Sequence, residues 1–149
     1  MYPLELIQSV RLITDVCLEI APGEDVLCIA DREEYMQVVN LIAAECKARG
    51  ADVAVVLIEP RREINLEPPR SVARAMQEAD VVIIMAYGSL VHTKARKEAC
   101  AAGVRWSAKE GASATIALSL VFFESRMRNG LRSRRCWLSS DNRSRKPSK

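Results

Sequence analysis

The sequence has 149 residues, of which 49% are hydrophobic and 5% aromatic, so it can form one domain whose core is filled mainly by aliphatic side chains. The net charge of +3 is unevenly distributed, because residues 125–149 carry nine Lys+Arg and one Asp while residues 1–124 are net negative. No apolar run reaches the roughly 20 residues of a membrane span, and no signal peptide is visible. These features predict a cytoplasmic protein that does not cross a membrane.

Hydrophobic periodicity predicts helices that alternate with short apolar strands. The predicted helices cover residues 4–21, 33–49, 71–78 and 93–102, and the predicted strands cover residues 25–30, 53–58 and 81–86. The strands are near-continuous apolar runs, which is typical of strands buried on both faces of a parallel sheet. The expected fold class is therefore α/β, a Rossmann-like three-layer domain with a short, mostly parallel sheet.

The predicted sheet is incomplete at its C-terminal end. A fourth strand is expected after Gly103, but the apolar pattern that starts at Val104 stops after Trp106, so the predicted domain covers residues 1–105. Residues 106–124 form an apolar segment that suits a strand or a helix equally well. Residues 125–149 form a basic tail that is predicted to be disordered, since it carries few apolar groups to bury.

Three interpretations of the basic tail stay open. It could bind nucleic acid or a membrane surface, it could be a solvated tail, or it could result from translation of the wrong reading frame. The third is favoured, because periodicity stops inside an unfinished sheet, and nucleic-acid binding is disfavoured because no recognition motif is present. The unfinished sheet would also expose apolar surface that allows the chain to form a homo-oligomer.

The five cysteines are odd in number and scattered, with no CxxC pair. They are interpreted as buried reduced thiols rather than as a disulfide framework or a zinc site. The first strand runs into Ala30-Asp31-Arg32-Glu33 without a GxGxxG sequence, which argues against dinucleotide binding. No P-loop, GxSxG elbow or HExxH sequence is present, so no motif assigns a reaction.

The turn after the third strand holds the chain's single histidine, His92. Ligands of open α/β sheets bind outside the carboxyl ends of the strands, where His92 is expected to lie, near a helix N-terminus that favours a neutral imidazole able to act as a base. The alternative is a histidine that is merely exposed in a loop. Asp31 ends the first strand at the same edge, and either contacts the substrate or serves as the N-cap of the following helix.

Seven segments resemble, in order and spacing, the N-terminal domain of the superfamily that joins aminopeptidase T-type metallopeptidases and 2,5-dihydroxypyridine 5,6-dioxygenase. The likeness covers about residues 4–105. The segments are Pro22-Gly23-Glu24-Asp25-Val26-Leu27, Asp31, Gly50-Ala51-Asp52-Val53, Glu67-Pro68-Pro69, Ala79-Asp80-Val81-Val82-Ile83, Leu90-Val91-His92-Thr93-Lys94-Ala95-Arg96 and Gly103-Val104-Arg105.

The resemblance implies the N-terminal part of a metal-dependent enzyme, truncated or frameshifted after about residue 105. Family members are longer and hold iron(II) or another divalent metal in a C-terminal domain, so no metal ligand is carried over and the chain alone is expected to be inactive. The Leu-x-His-(Ser/Thr) setting implies that His92 is a catalytic base toward a small-molecule hydroxypyridine, with Asp31 and Thr93 as substrate-binding residues. A leucyl aminopeptidase fragment is the alternative, and a binding module with a nucleic-acid-binding tail is the alternative from another class.

Overall fold

The computed structural model describes residues 4–60, 63–88 and 90–110, which form an α/β unit around a four-stranded, all-parallel sheet. The strands are β1 (Asp25–Ala30), β2 (Asp52–Leu57), β3 (Val81–Ala86) and β4 (Arg105–Glu110), in the order β2-β1-β3-β4. The helices are α1 (Leu4–Leu12), which a π-helical turn over Ile13–Cys17 continues, then α2 (Glu33–Ala48), α3 (Arg70–Glu78) and α4 (Lys94–Ala101). The predicted α/β class is confirmed.

Helices cover both faces of the sheet and give three layers. On one face α1 and α2 pack against alternate residues of the central strands, Val26, Cys28, Val81, Ile83 and Met85. On the other face α3 and α4 pack against the intervening residues, Leu27, Ile29, Val82, Ile84 and Ala86. Because side chains alternate along a strand, a continuous apolar run supplies both faces, and this explains the uninterrupted hydrophobic sequence of β1 and β3.

The prediction that the second strand is buried on both faces is wrong. β2 pairs only with β1 and forms an edge of the sheet, where Val55 and Leu57 are 38% and 49% exposed. Val53 and Val56 of β2 still pack against the core, while Val55 and Leu57 stay partly uncovered. Sequence composition cannot separate an apolar edge strand from a central one, because that distinction depends on strand order.

The prediction that the strand pattern fails after Trp106 is also wrong. β4 pairs with β3 in parallel over its whole length, with Arg105 opposite Val81 and Glu110 opposite Ala86. Trp106 and Ala108 pack against the core on the α4 face, so alternate residues suffice to anchor a strand of mixed composition. The sheet thus continues beyond residue 105, while residues 111–124 and the tail at 125–149 lie outside the described residues.

The first helix ends earlier than the predicted residue 21. Its π-helical turn stops at Cys17, and Glu19 adopts a left-handed φ of 47°. The side chain of Arg105 donates to the carbonyl oxygens of Leu18 and Glu19 and forms an ion pair with Glu24. Arg105 therefore satisfies carbonyl groups that the helix leaves open, a contact over more than 80 residues that no local pattern predicts.

The described cysteines are free thiols. Cys28 and Cys46 are fully buried, and burial raises their pKa to about 12 and about 11, so both stay protonated at neutral pH. Cys17 and Cys100 are half-buried, and Cys136 lies outside the described residues. Among the described residues, no helix has the length and hydropathy needed to cross a membrane.

Candidate functional site

The strand order creates a crevice between β1 and β3 at the carboxyl edge of the sheet. From β1 the chain crosses to β2 on one side, and from β2 it returns to β3 on the other side, so the connections that leave β1 and β3 diverge. Open α/β sheets bind ligands at such a point. Asp31 follows β1 directly, and Tyr87 and Gly88 follow β3 directly, so these three residues lie where a ligand is expected.

Asp31 connects the two central strands at this edge. It is 1% exposed, and its Oδ2 accepts hydrogen bonds from the backbone N–H groups of Tyr87 (2.8 Å) and Gly88 (3.0 Å). The alternative prediction of an N-cap is wrong, because the N-cap of α2 is Arg32 and no side chain caps that helix. The carboxylate bonds instead to a turn more than 50 residues away in sequence.

Two buried polar atoms at this edge have no hydrogen-bond partner. They are Oδ1 of Asp31 and Nε of Arg32, while the Arg32 guanidinium lies over the Tyr87 ring at 4.3 Å from its centre. A buried polar group without a partner costs about 1–3 kcal/mol, and more when it is charged. Such groups are rare in folded proteins, and their occurrence together at a ligand-binding edge marks this corner as the candidate site.

Tyr35 adds a polar group near the same carboxylate. Burial raises the pKa of its hydroxyl, and the negative charge of Asp31 raises it further. The tyrosine lies on the first turn of α2 and is 6% exposed. At neutral pH it is therefore a neutral hydroxyl beside a buried carboxylate.

His92 is exposed on the turn that leads into α4. Its backbone N–H donates to Oδ1 of Asn65 at 3.1 Å, and the N–H of Asn65 donates to the carbonyl oxygen of Gly88. The loop before α3 is thus attached to the turn that carries His92. Within the described part of the chain no hydrogen bond joins His92 to Asp31, so the structure places both predicted residues at one edge without direct contact. The role of His92 as a base stays a prediction.

The N-terminus of α4 is already occupied by two side chains. The Glu67 carboxylate accepts from the backbone N–H groups of Lys94 and Ala95, and the Thr93 hydroxyl accepts from that of Arg96 at 3.2 Å. Glu67 and Thr93 together therefore satisfy three N–H groups in the first turn of α4. The contribution of Glu67 was missed because it comes from a loop 27 residues away.

Thr93 was predicted to bind substrate, and the structure gives its hydroxyl two internal partners. It is 1% exposed, it donates to the carbonyl oxygen of Leu90 at 2.7 Å, and it caps α4. These bonds position the turn that carries His92. A direct contact between Thr93 and substrate stays a prediction.

Replacing Thr93 by alanine is expected to lower the free energy of unfolding by about 1 kcal/mol, because the N-cap hydroxyl is lost. Urea unfolding followed by circular dichroism measures the change. The matched control, Thr93→Ser, keeps the hydroxyl and should retain most of the stability. Equal stability of the alanine variant and the unmodified protein would show that the cap contributes nothing.

The described residues contain no group of three or more His, Cys, Asp or Glu side chains that could hold a metal ion. The described residues therefore offer no site for a divalent metal, which the resemblance assigns to a C-terminal domain. Arg32 and Tyr87 were missed in the sequence. Their position directly after two apolar strands was the available signal, but only the strand order shows that these two strand ends are neighbours.

Two solved structures share this fold. The 2,5-dihydroxypyridine dioxygenase of Pseudomonas putida KT2440 matches 70% of this chain with a TM-score of 0.56 and 14% identity, and wild-type AmpT of Thermus thermophilus matches 80% with a TM-score of 0.52 and 17% identity. The matched region spans 33% and 41% of those two chains. No protein-family model and no curated protein matches the sequence. At these identities the likeness establishes a common fold.

Proposed function

We propose that this chain provides the substrate-facing N-terminal α/β domain of a metal-dependent enzyme related to 2,5-dihydroxypyridine dioxygenase. The proposal rests on one observation above the others: the fold shared with that dioxygenase places Asp31 and His92 at the carboxyl edge of the sheet. A dihydroxypyridine bound there would present its ring hydroxyl to the exposed imidazole and a polar edge to the buried carboxylate.

In this proposal His92 accepts the proton of a ring hydroxyl. Histidine is the side chain that most often serves as a general base, and a positioned base typically accelerates a reaction by about 10²–10⁴. The loop that carries Asn65 and Glu67 fixes the backbone of this turn, so the imidazole is held by an ordered frame. Iron(II) or another divalent metal, which ring cleavage would require, would be bound by the C-terminal domain of a full-length family member, so the chain alone is expected to be inactive.

Peptide hydrolysis is the second candidate, because AmpT, an aminopeptidase, has the same fold. A peptide substrate would bring an N-terminal ammonium to the carboxyl edge, where Asp31 is the buried carboxylate. This candidate gives His92 no role. A nucleic-acid-binding module is a third candidate, and it depends on residues 125–149, which lie outside the described residues.

The test uses the fact that His92 is the chain's single histidine, so its imidazole gives one assignable set of NMR signals. Titration of the 149-residue chain with 2,5-dihydroxypyridine is expected to shift these signals in a saturable manner and to move their pH midpoint. A leucyl dipeptide, added as the control ligand, should leave them unchanged.

The outcomes separate the candidates. Unchanged imidazole signals with 2,5-dihydroxypyridine would remove His92 from the proposed function. A saturable shift of the backbone signals around Asp31 with the dipeptide alone would favour the aminopeptidase. Binding of single-stranded RNA that weakens steeply between low and high salt would favour the nucleic-acid module.

A further inference from the structure

We propose that Asp31 and Arg32 form a paired recognition site for the amide edge of a planar, uncharged ligand, with Tyr87 as its stacking surface. In this arrangement a ligand N–H donates to Oδ1 of Asp31, and the adjacent ligand C=O accepts from Nε of Arg32. The inference rests on the proposed function, since it names the kind of molecule that the same edge of the sheet would bind.

The first argument is the hydrogen-bonding capacity of the two atoms. Oδ2 of Asp31 is fixed by two backbone N–H groups, so Oδ1 is held in one orientation and can only accept. Nε of Arg32 carries one hydrogen and can only donate. Both atoms are buried without a partner, and they belong to consecutive residues. A ligand that satisfies both must present a donor and an acceptor side by side.

The second argument is charge. The consecutive residues Asp31 and Arg32 carry opposite charges. An ammonium is therefore attracted by Asp31 and repelled by Arg32, whereas a phosphate or carboxylate is repelled by Asp31 and attracted by Arg32. An uncharged amide edge avoids both penalties. A trans peptide bond directs its N–H and C=O to opposite sides, whereas a lactam or a primary carboxamide directs them to one side. The pair therefore favours a lactam over a peptide.

The third argument is access to the site. The Tyr87 ring is 41% exposed, and the Arg32 guanidinium stacks on it at 4.3 Å. Guanidinium and aromatic planes both stack on flat rings, so a planar ligand can join this stack from the solvent side. Because Oδ1 of Asp31 is buried in this structure, binding requires neighbouring side chains to move aside.

The probe for the experiment is 2-pyridone, which carries an amide edge on a flat ring, and the control ligand is 1-methyl-2-pyridone, which lacks the N–H. Both are titrated into the 149-residue chain, and binding is followed by the backbone N–H signals of Tyr87 and Gly88 and the side-chain Nε–H signal of Arg32. We expect 2-pyridone to bind at least about tenfold more tightly than its methylated form, because the methylated form leaves Oδ1 of Asp31 without a donor. Equal affinities, or no binding of 2-pyridone, would overturn the proposal, and so would tighter binding of butylammonium.

Two variants identify the residue responsible. Asp31→Asn places an N–H₂ group where the ligand needs an acceptor and should abolish the preference for 2-pyridone. Asp80→Asn is the matched control, since Asp80 accepts a backbone N–H from Asp25 at the opposite edge of the same two strands, and it should retain the preference. Retention of the preference in Asp31→Asn would contradict the assignment.

The two proposals can fail separately. If 2-pyridone binds through Asp31 while 2,5-dihydroxypyridine leaves the His92 signals unchanged, the recognition pair is supported and the role of His92 is not. If the His92 signals respond to 2,5-dihydroxypyridine while the two pyridones bind equally, the proposed function is supported and the recognition pair is wrong.

Discussion

Replacing Asp31 by alanine is expected to lower the free energy of unfolding by about 2–4 kcal/mol, since two buried or partly buried N–H groups lose their acceptor at about 1–3 kcal/mol each. The loss of the unpaired Oδ1 offsets part of this cost, which is why the lower part of the summed range is expected. Chemical unfolding followed by circular dichroism measures the change.

Asp31→Asn is the matched control for this stability effect. Its amide oxygen can still accept from Tyr87 and Gly88, and the buried charge disappears, so the variant should lose much less stability than Asp31→Ala. If both variants lose the same amount, the negative charge rather than the pair of hydrogen bonds stabilises the turn after β3. If neither loses stability, Asp31 does not connect the two strands energetically.

Replacing Ile29 by alanine is expected to cost about 2–5 kcal/mol, because the side chain is fully buried and its removal leaves a cavity in the core beneath α3 and α4. Small domains have a total stability of about 5–15 kcal/mol, so this single change removes a large share of it. The variant should therefore unfold at a distinctly lower urea concentration than the unmodified protein.

Ile64→Ala is the control for that prediction. Ile64 is 73% exposed in the loop before α3, and removal of its side chain should change the stability by less than about 0.5 kcal/mol. A large loss at Ile64 would mean that this loop is covered by another part of the protein. A small loss at Ile29 would mean that the core can close around the missing side chain.

The residues at the carboxyl edge of the sheet form two groups, one held by side-chain hydrogen bonds to the backbone and one that stacks. Asp31, Glu67 and Thr93 are held by backbone hydrogen bonds that fix both turns of the crevice. The Arg32 guanidinium stacks on the Tyr87 ring, and the tyrosine is 41% exposed. Polar groups fixed by hydrogen bonds next to an exposed flat ring suit the proposed recognition of a small planar molecule.

The local sequence pattern was sufficient to predict those elements whose structure depends mainly on their own residues. The continuous apolar runs predicted β1 and β3, the 3.6-residue periodicity predicted α2, and Gly50 ends that helix with the positive φ of 83° expected of a C-terminal glycine. In each case the signal and the element lie within the same few residues. The expectation that His92 follows a strand end and precedes a helix is confirmed for the same reason.

Contacts between distant segments decided the rest. β4 forms although only two of its six residues, Trp106 and Ala108, are apolar, because the free edge of β3 supplies backbone partners that compensate for weak local preference. The exposure of β2 follows from strand order, and the carbonyl groups that follow the first helix accept from Arg105, more than 80 residues away. Strand pairing, strand order and this long-range contact cannot be predicted from local sequence patterns.

The sequence by itself determined an α/β chain with one histidine at a strand end and a carboxylate, Asp31, at the end of another strand. Both follow from local properties, namely hydrophobic periodicity and the residues that end helices and strands. The tertiary structure alone decided that Asp31 binds the turn after β3 rather than its own helix, and that Arg32 and Tyr87 stack beside it. The physical reason is that a buried carboxylate takes whichever donors the fold brings within reach, and the order of the strands selects those donors.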